Sequence, residues 1–283
     1  MVIDERPGVL FAAGSSQHDI PYVGMDHPNG NGGVVKSTDY GKTWTPVCEG
    51  LPKGSPATSI VKNKSSLFVA MLGNGVYRSD DDARTWVRTS NGLGKPGNAN
   101  VYSLKFDNKG NIFCSIAGRP PYDVPGGLYK SSDRGKNWTL LKEFSRAVDF
   151  SIDPQDGNII YVAACDTQKN GLSNGEGGVH RSRDGGKTWK KWEVTDKKIA
   201  KWMVVRAISV SINPKKHSQL FATWSTNEFR NPFKGGIMVS NDSGATWKDF
   251  DNPPFTGATR ITWDSGSTMY VTTFGSNVWK KKF

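Results

Sequence analysis

Short apolar runs alternate with turn-forming residues along the whole chain, and they recur in a fixed order. The most regular run is VLFAA (9–13), LFVAM (67–71), NIFCSI (111–116), IIYVAA (159–164), QLFATW (219–224) and MYVTT (269–273). In five places another run precedes it: SIVK (59–62), YSLKF (102–106), VDFSI (148–152), AISVSI (207–212) and RITW (260–263). Runs of this length between Gly, Pro, Asn and Asp are typical of β-strands. The pattern therefore predicts an all-β chain.

A nine-residue segment recurs five times in this pattern. Its copies are KSTDYGKTW (36–44), RSDDDARTW (78–86), KSSDRGKNW (130–138), RSRDGGKTW (181–189) and VSNDSGATW (239–247). Each copy begins with the last two residues of a third strand such as GVVKS, and a fourth strand begins at the tryptophan of the copy. Successive tryptophans are 42 to 58 residues apart, a spacing that marks a repeat architecture. The segment is therefore predicted to be the hairpin turn of a four-stranded unit.

The residue types of the first copy, residues 36–44, suit such a turn. Asp39 can accept backbone N–H groups that lack partners in the sheet, and Ser37 can add a hydroxyl bond across the turn. Gly41 permits a positive φ where the chain reverses. Trp44 is expected to wedge between adjacent sheets. In the second copy Ala83 replaces the glycine, so that turn must tolerate a Cβ or adopt another conformation.

These residues spell S-x-D-x-G-x-x-W, and the chain resembles the Asp-box (bacterial neuraminidase repeat) β-propellers. The resemblance implies a single domain, residues 1–283, of radial blades with four antiparallel strands each. Six blades are expected, and an incomplete seven-bladed propeller is the alternative. The N-terminal MVID is expected to be a shortened first strand or to complete the last sheet. The expected blade boundaries are 1–50, 51–93, 94–144, 145–195, 196–252 and 253–283.

The five box aspartates are interpreted as scaffold, because the turn already accounts for them. They are Asp39, Asp81, Asp133, Asp184 and Asp242. Strand alternation places the Asp-box turns on one face and the loops between second and third strands on the other. Four of those loops are long: 14–32, 117–126, 165–177 and 225–235. Because long loops on a rigid scaffold commonly carry function, a site is expected opposite the Asp boxes.

The candidate residues lie on or near these long loops. Glycosidic cleavage needs a pair of carboxylates, and the candidates for catalysis are Asp19, Asp123, Asp166 and Glu228. Aromatic rings can stack on sugars and arginine can hold a carboxylate bidentately. The candidates for ligand binding are His18, Tyr22, His27, Arg119, Tyr122, Arg146, Arg206, Trp224, Arg230 and Arg260. Three of these arginines lie at or near the starts of first strands: Arg146, Arg206 and Arg260.

His18, Asp19, Asp26 and His27 bring four metal-ligand types into ten residues, but their spacing matches no established site. No metal and no cofactor are therefore predicted. The three cysteines form neither a CxxC pattern nor a disulfide framework, and Cys114 in NIFCSIAG is expected to be a small core residue.

The formal net charge is +11, from 37 Lys and Arg against 26 Asp and Glu. The basic residues are scattered rather than clustered, so a nucleic-acid partner is not expected, whereas an acidic polysaccharide fits the charge. No apolar run reaches membrane-spanning length and no signal-peptide core is present, so no membrane partner is expected. An extracellular or periplasmic protein with its leader removed is expected, and a cytoplasmic protein is the alternative.

Asp-box propellers include sialidases, xyloglucan-degrading glycoside hydrolases, sorting receptors and photosystem assembly factors. Sialidases carry an Arg-Ile-Pro type motif, and here Arg6-Pro7 lies in VIDERPGVL without that motif. The repeat style resembles the xyloglucanase-like propellers, which cut between two facing propellers with a catalytic Asp from each. This chain would then need another domain or subunit to complete a cleft. Three hypotheses stay open: a glycoside hydrolase-like protein that acts on or binds a polysaccharide, a non-catalytic module that binds a glycan or a protein, and a structural or assembly module of a longer chain. The first is favoured, with its catalysis left open.

Overall fold

The computed structural model describes residues 1–14, 32–97, 99–118, 124–169, 172–173, 175–192, 206–225, 235–250, 257–264, 267–273 and 278–283. All helix or strand structure in these residues is β-strand, and no membrane-spanning helix occurs among them. The chain divides into two compact units. The first comprises residues 1–125 and 129–140, and the second comprises residues 126–128 and 141–283.

The first unit contains two complete sheets and most of a third. The strands are β1 (Val2–Ile3), β2 (Leu10–Gly14), β3 (Gly33–Ser37) and β4 (Thr45–Pro46) in the first sheet; β5 (Ala57–Asn63), β6 (Ser66–Met71), β7 (Gly75–Ser79) and β8 (Val87–Arg88) in the second; and β9 (Val101–Phe106), β10 (Ile112–Ile116), β11 (Gly127–Ser131) and β12 (Thr139–Glu143) in the third. Residues 127–128 and 141–143 of the third sheet belong to the second unit.

The second unit contains three further sheets. The strands are β13 (Ala147–Ile152), β14 (Ile160–Ala164), β17 (Gly178–Ser182) and β18 (Lys190–Trp192); β19 (Arg206–Asn213), β20 (Lys216–Ser225), β21 (Gly235–Ser240) and β22 (Lys248–Asp249); and β23 (Ala258–Trp263), β24 (Thr268–Thr273) and β25 (Val278–Lys282). A two-stranded hairpin, β15 (Gln168–Lys169) with β16 (Leu172–Ser173), lies between β14 and β17. The sequence predicted only a long loop there.

These six sheets are the blades of a β-propeller, and we number them 1 to 6 in chain order. Each sheet follows the order of the chain, with antiparallel pairing between neighbouring strands. The predicted all-β fold and the six blades are confirmed. β1 pairs with β2 in blade 1, as expected for a short first strand. Among the described residues blade 6 has three strands.

The described cores lie between blades of the same unit, because alternate residues of a strand face opposite sides of its sheet. In β6, Leu67, Val69 and Met71 pack towards blade 1, whereas Phe68 and Ala70 pack towards blade 3. The second unit repeats this arrangement, with one apolar cluster between blades 4 and 5 and another between blades 5 and 6. Cys114 is fully buried in the cluster of blades 2 and 3, which confirms the prediction for it.

The Asp-box turns have the hydrogen bonds that their composition predicts. In the first copy the Ser37 hydroxyl donates to Asp39 at 2.8 Å and accepts the N–H of Gly41 at 2.9 Å. Asp39 also accepts the N–H of Thr43 at 2.8 Å and its hydroxyl at 2.6 Å. The other four copies repeat this set, with Asn137 in the threonine position of the third. The aspartates are therefore turn scaffold, as interpreted.

Two consecutive residues of each turn have positive φ. Gly41 has φ +83°, and Ala83 at the same place in the second copy has φ +66°. The second turn therefore keeps the common conformation and tolerates the Cβ. An L-residue pays about 1–2 kcal/mol for this conformation. The Ala83 methyl is fully buried in the apolar cluster of blades 1 and 2, and this burial offsets part of that strain.

The tryptophans that follow the turns do not all have the predicted wedge role. Trp86 and Trp138 are buried, and their indole N–H groups donate to backbone carbonyls of the preceding blade, Val47 at 2.8 Å and Thr89 at 2.9 Å. Trp44 instead donates to Gly41 of its own turn and is 38% exposed. The wedge prediction is therefore confirmed for blades 2 and 3 and wrong for Trp44.

Candidate functional site

Each blade has two ends, and the expected site lies at the end opposite the Asp-box turn, which we call the loop end. At this end the second strand leads into the third: Met71 pairs with Gly75, Ala164 with Gly178 and Ser225 with Gly235. The box serines lie at the other end of the same strand pairs, as Leu67 with Ser79 and Leu220 with Ser240 show. The predicted separation of turns and long loops is confirmed for these blades.

A β-bulge recurs in the first strand of blades 2 to 6, close to the loop end. The bulged residues are Thr58, Tyr102, Val148, Ile208 and Thr259. Bulges re-aim side chains and are frequent beside functional sites. The residue after each bulge is polar or charged: Ser59, Ser103, Asp149, Ser209 and Arg260.

In the second unit these post-bulge side chains join three blades. The Ser209 hydroxyl of blade 5 donates to the Asp149 carboxylate of blade 4 at 2.8 Å. The same hydroxyl accepts the N–H of Ile261 of blade 6 at 3.5 Å. Asp149 and Ser209 are both buried. Asp149 was not among the predicted site residues. Its place inside the apolar run VDFSI was nevertheless a signal, because a buried carboxylate requires hydrogen-bond partners.

The three candidate arginines do not occupy equivalent positions. The carbonyl of Arg146 accepts the N–H of Cys165, and Arg206 pairs with Ser225, so these two arginines occupy matching places at the loop ends of blades 4 and 5. Arg260 follows the bulge of β23, pairs with Thr272 and is exposed. It therefore corresponds to Asp149 and Ser209 of the neighbouring blades rather than to the other arginines.

Two carboxylates hold the connection 165–177 of blade 4 in place. Asp166 is buried, and its carboxylate accepts the N–H of Gly177 at 2.5 Å. The carboxylate of Glu176 accepts the N–H of Ser145, ahead of β13, at 2.9 Å. Both ends of this loop are thus fixed by carboxylates that accept backbone N–H groups. This bracing is a structural role for Asp166, and its predicted role in catalysis stays a prediction.

A histidine lies beneath this loop. His180 in β17 is mostly buried, and its ring packs edge-to-face on Phe144, with 4.9 Å between ring centroids. Burial lowers the pKa of His180, so the imidazole is neutral near pH 7. Nε2 lies 2.8 Å from the carbonyl oxygen of Glu176, and because a carbonyl only accepts, Nε2 carries the proton. His180 therefore serves as a neutral donor that supports the loop.

Trp224 ends β20 in blade 5, where an exposed aromatic platform was expected. Its ring instead packs in the apolar cluster of blades 4 and 5 and is 8% exposed. The indole N–H and the hydroxyl of the adjacent Ser225 are buried, and neither has a hydrogen-bond partner in the described part of the chain. A buried ring offers no face for stacking, so the predicted binding role of Trp224 is not supported by its position.

The repeats and the fold are similar to those of known proteins. A model of the BNR-Asp box repeat family matches residues 128–141, which cover β11 and the third Asp-box turn. The GH74 xyloglucanase from Xanthomonas campestris superposes on 99% of this chain with a TM-score of 0.70 at 17% sequence identity. The chain therefore has a β-propeller fold with Asp-box repeats, similar in fold to that xyloglucanase. The predicted resemblance is confirmed.

Two further proteins are similar to this Asp-box propeller. A xyloglucanase of a Paenibacillus species is 27% identical over 169 residues, which is 56% of this chain. A structure described as YCF48 bound to D1 peptide matches 89% of this chain and 86% of its own, with 14% identity and a TM-score of 0.52. The chain spans 13% of the Paenibacillus protein and 44% of the Xanthomonas one. It therefore corresponds to only part of either xyloglucanase.

Most of the predicted site residues of this propeller lie outside the described residues. They are His18, Asp19, Tyr22, His27, Arg119, Tyr122, Asp123, Glu228 and Arg230. The four-donor segment His18–His27 is also outside. Within the described residues no group of three or more metal-ligand side chains is found. The described part of the site is therefore the loop end of blades 4 and 5, with Arg146, Asp166, Glu176 and His180.

Proposed function

We propose that this Asp-box propeller binds a xyloglucan-type polysaccharide through the loop ends of its blades. The observation that carries the proposal is the sequence similarity to a xyloglucanase, 27% identity over 169 residues. Long loops at the ends opposite the Asp boxes provide the surface, as is usual where a rigid scaffold carries a binding site. We expect an extracellular or periplasmic location for a protein with this role.

The described chemistry favours binding over cleavage by this chain alone. Glycosidic cleavage needs one carboxyl group that donates a proton and a second that acts as base or nucleophile. Asp166 and Glu176 instead accept backbone N–H groups of their own loop and its neighbour. By resemblance, xyloglucanase-like enzymes cut between two facing propellers, so one propeller would supply one wall of a cleft. Catalysis would then depend on a second domain or subunit.

The test is isothermal titration with xyloglucan, together with an assay for new reducing ends. We expect heat of binding from the unmodified chain and weaker binding from Arg146→Ala and Arg206→Ala. The matched control is Arg84→Ala, which removes an exposed arginine from an Asp-box turn at the opposite end of blade 2. Absence of xyloglucan binding, or equal weakening by the control, would contradict the proposal.

The same samples address cleavage. Asp19→Ala, Asp123→Ala, Asp166→Ala and Glu228→Ala remove the four candidate carboxylates one at a time. If the unmodified chain releases reducing ends, loss of release in two of these variants identifies an acid pair, because the two-carboxylate mechanism requires both groups. Binding without release in every sample assigns the chain to the non-catalytic hypothesis.

A second candidate is a peptide-binding module. The observation that favours it is size, because this chain covers 86% of the YCF48 chain but only 44% of the Xanthomonas enzyme. The YCF48 structure contains a bound peptide. Failure to bind xyloglucan, combined with binding of an unstructured peptide that competes at the loop ends, would favour this candidate over the polysaccharide one.

A further inference from the structure

At the Asp-box end, the outer strands of blades 1, 2 and 4 each share a surface with the Asp-box turn of the next blade. We call this surface the outer groove. Its wall contains the residue just before the box serine, which is Lys36 in blade 1, Arg78 in blade 2 and Arg181 in blade 4. Because the repeats align residue by residue, the charges in one groove can be compared directly with those in another.

The grooves of the first unit neutralise this cation with an aspartate. Between blades 1 and 2, Lys36 lies 2.6 Å from the Asp82 carboxylate, and Arg6 lies 2.5 Å from it. Between blades 2 and 3, Arg78 pairs with Asp80, two residues further along the chain. That groove is about 470 Å³ in volume and is lined by Arg78, Asp80, Asp81, Thr85, Val87, Arg88, Thr89 and Lys136.

The groove between blades 4 and 5 has the opposite charge pattern. Arg183 stands where blade 2 has Asp80, and Lys190 stands where blade 2 has Val87. Lys190 is the direct cross-strand partner of Arg181. Arg181 and Lys190 therefore lie on one face of the sheet. Like charges at directly opposed positions of two strands are destabilising. In the described part of the chain, none of these three cations forms an ion pair with a carboxylate.

The box carboxylates of blades 4 and 5 are engaged in their own turns. Asp184 accepts the N–H and hydroxyl of Thr188, and Asp242 accepts those of Thr246. Arg181 donates to the backbone carbonyl of Ser243 in blade 5. Burial and then the like charge of Arg183 lower the pKa of Arg181, and Asp242 opposes this only as a smaller effect. Among the described residues, the cluster therefore retains positive charge that no carboxylate neutralises in an ion pair.

An aromatic ring fixes the geometry of the cluster. The guanidinium of Arg181 lies 4.3 Å from the centre of the Trp192 ring, and the ammonium of Lys190 lies 5.5 Å from it. A guanidinium held against an aromatic ring keeps its in-plane N–H donors available at the ring edge. Arg183 and Lys190 are exposed, so a ligand can reach them.

We infer that the outer groove between blades 4 and 5 binds the carboxylate or sulfate groups of an acidic polysaccharide. Arg181, Arg183 and Lys190 supply charge-assisted hydrogen bonds to the anion, and the bound anion relieves their mutual repulsion. The site is separate from the loop ends used in the proposed function, and it selects for charge, which xyloglucan lacks. The two proposals can therefore fail independently.

The arrangement favours an acidic polysaccharide over a nucleic acid. A nucleic acid presents one phosphate after another, and proteins bind it with cations that follow the strand over many nucleotides. Among these outer grooves, the cations of blades 1 and 2 pair with Asp82 and Asp80, whereas those of blade 4 have no such pair in the described part of the chain. A single anionic group beside a sugar ring fits two cations on one tryptophan with a third on the adjoining turn.

The test measures binding of polygalacturonate, dextran sulfate and duplex DNA to the full chain by titration at moderate salt. Arg183→Asp restores the ion-pair pattern of blade 2, and Lys190→Thr copies Thr45 of blade 1. We expect each to weaken binding of the acidic polysaccharide about tenfold or more. Arg84→Asp, at an exposed arginine of another turn, makes the same charge change as Arg183→Asp and serves as the control.

The melting temperature of Arg183→Asp separates a lost site from a lost fold, and we expect it to stay the same or rise because Arg181 gains a counter-ion. Preference between polygalacturonate and dextran sulfate identifies the anionic group. Equal weakening by Arg84→Asp would reduce the effect to general charge and overturn the inference. Tighter binding of DNA through the same residues would overturn the assignment to a polysaccharide, as would no binding of either acidic polymer.

Discussion

At the scale of single residues, the Asp-box turn is explained by a few hydrogen bonds. A buried serine hydroxyl accepts two backbone N–H groups and donates to the aspartate, and the aspartate accepts two donors from the residue four positions on. The same hydrogen bonds hold the pKa of the Asp133 carboxyl below its ordinary value. The residue types were predictable from the sequence because each serves its own turn. The indole hydrogen bonds of Trp86 and Trp138 were not predictable, since their acceptors lie in the preceding blade.

Ser131→Ala tests the serine of the third box. The Ser131 hydroxyl is buried, accepts the N–H of Gly135 at 2.9 Å and donates to Asp133 at 2.8 Å. Its removal leaves a buried N–H without a partner, so we expect a loss of about 1–3 kcal/mol in the free energy of unfolding. Urea denaturation measures it. Ser132→Ala, at the exposed neighbour, should stay within about 0.5 kcal/mol of the unmodified chain. Equal effects of the two variants would refute this explanation.

The box aspartates predict how stability depends on pH. Hydrogen bonds from neighbouring Thr or Asn residues lower the pKa of Asp39, Asp81 and Asp133 to about 2, from an ordinary 3.8. Because the folded pKa lies below the unfolded one, this stabilisation is complete above the unfolded pKa and is lost as pH falls from about 4 to about 2.

The measurement is the melting temperature across that pH range, at low and at high salt. The Asp-box donors are uncharged, so the decline should persist at high salt, where exposed ion pairs are screened. Asp133→Asn should show a shallower decline than the unmodified chain. A flat profile down to about pH 2 would show that the aspartates are not stabilised in the way these contacts indicate.

At the scale of elements, blades are joined by backbone contacts as well as by apolar cores. The N–H of Trp86 donates to the carbonyl of Glu49, and the N–H of Trp138 donates to that of Asn91. In each case the next residue is a glycine, Gly50 or Gly92, whose missing Cβ leaves room for the tryptophan backbone. The strands themselves were predictable from local alternation. The bulges and these close approaches were not, because they depend on contacts between blades.

Gly92→Ala tests this close approach. A Cβ on Gly92 would lie 2.3 Å from the carbonyl oxygen of Trp138, and Gly92 has φ +92°. We expect strain and overpacking to cost about 2–4 kcal/mol in the free energy of unfolding. Gly97 has the same φ with open space around its missing Cβ, so Gly97→Ala should cost only about 1–2 kcal/mol. Similar losses in the two variants would show that blades 2 and 3 are not in the contact described.

At the scale of the whole molecule, repetition made the fold predictable and left the site only partly so. Five copies of one turn determined the blade pattern. The candidate site depended on loops that do not repeat, and spacing alone could not tell whether Asp166 faces a ligand or binds the N–H of Gly177. The net charge of +11 was equally uninformative until the blades were aligned. Alignment showed that blade 4 has a cation where blade 2 has Asp80.

The central claim is that xyloglucan binds at the loop ends and not at the Asp-box turns. Hydrogen–deuterium exchange with and without xyloglucan tests it most directly, because bound ligand slows exchange of the backbone it covers. The claim predicts slower exchange in residues 72–74 and 165–177, with no change in the turns 37–44 and 131–138. Protection of those turns alone, or no protection at saturating xyloglucan, would contradict it.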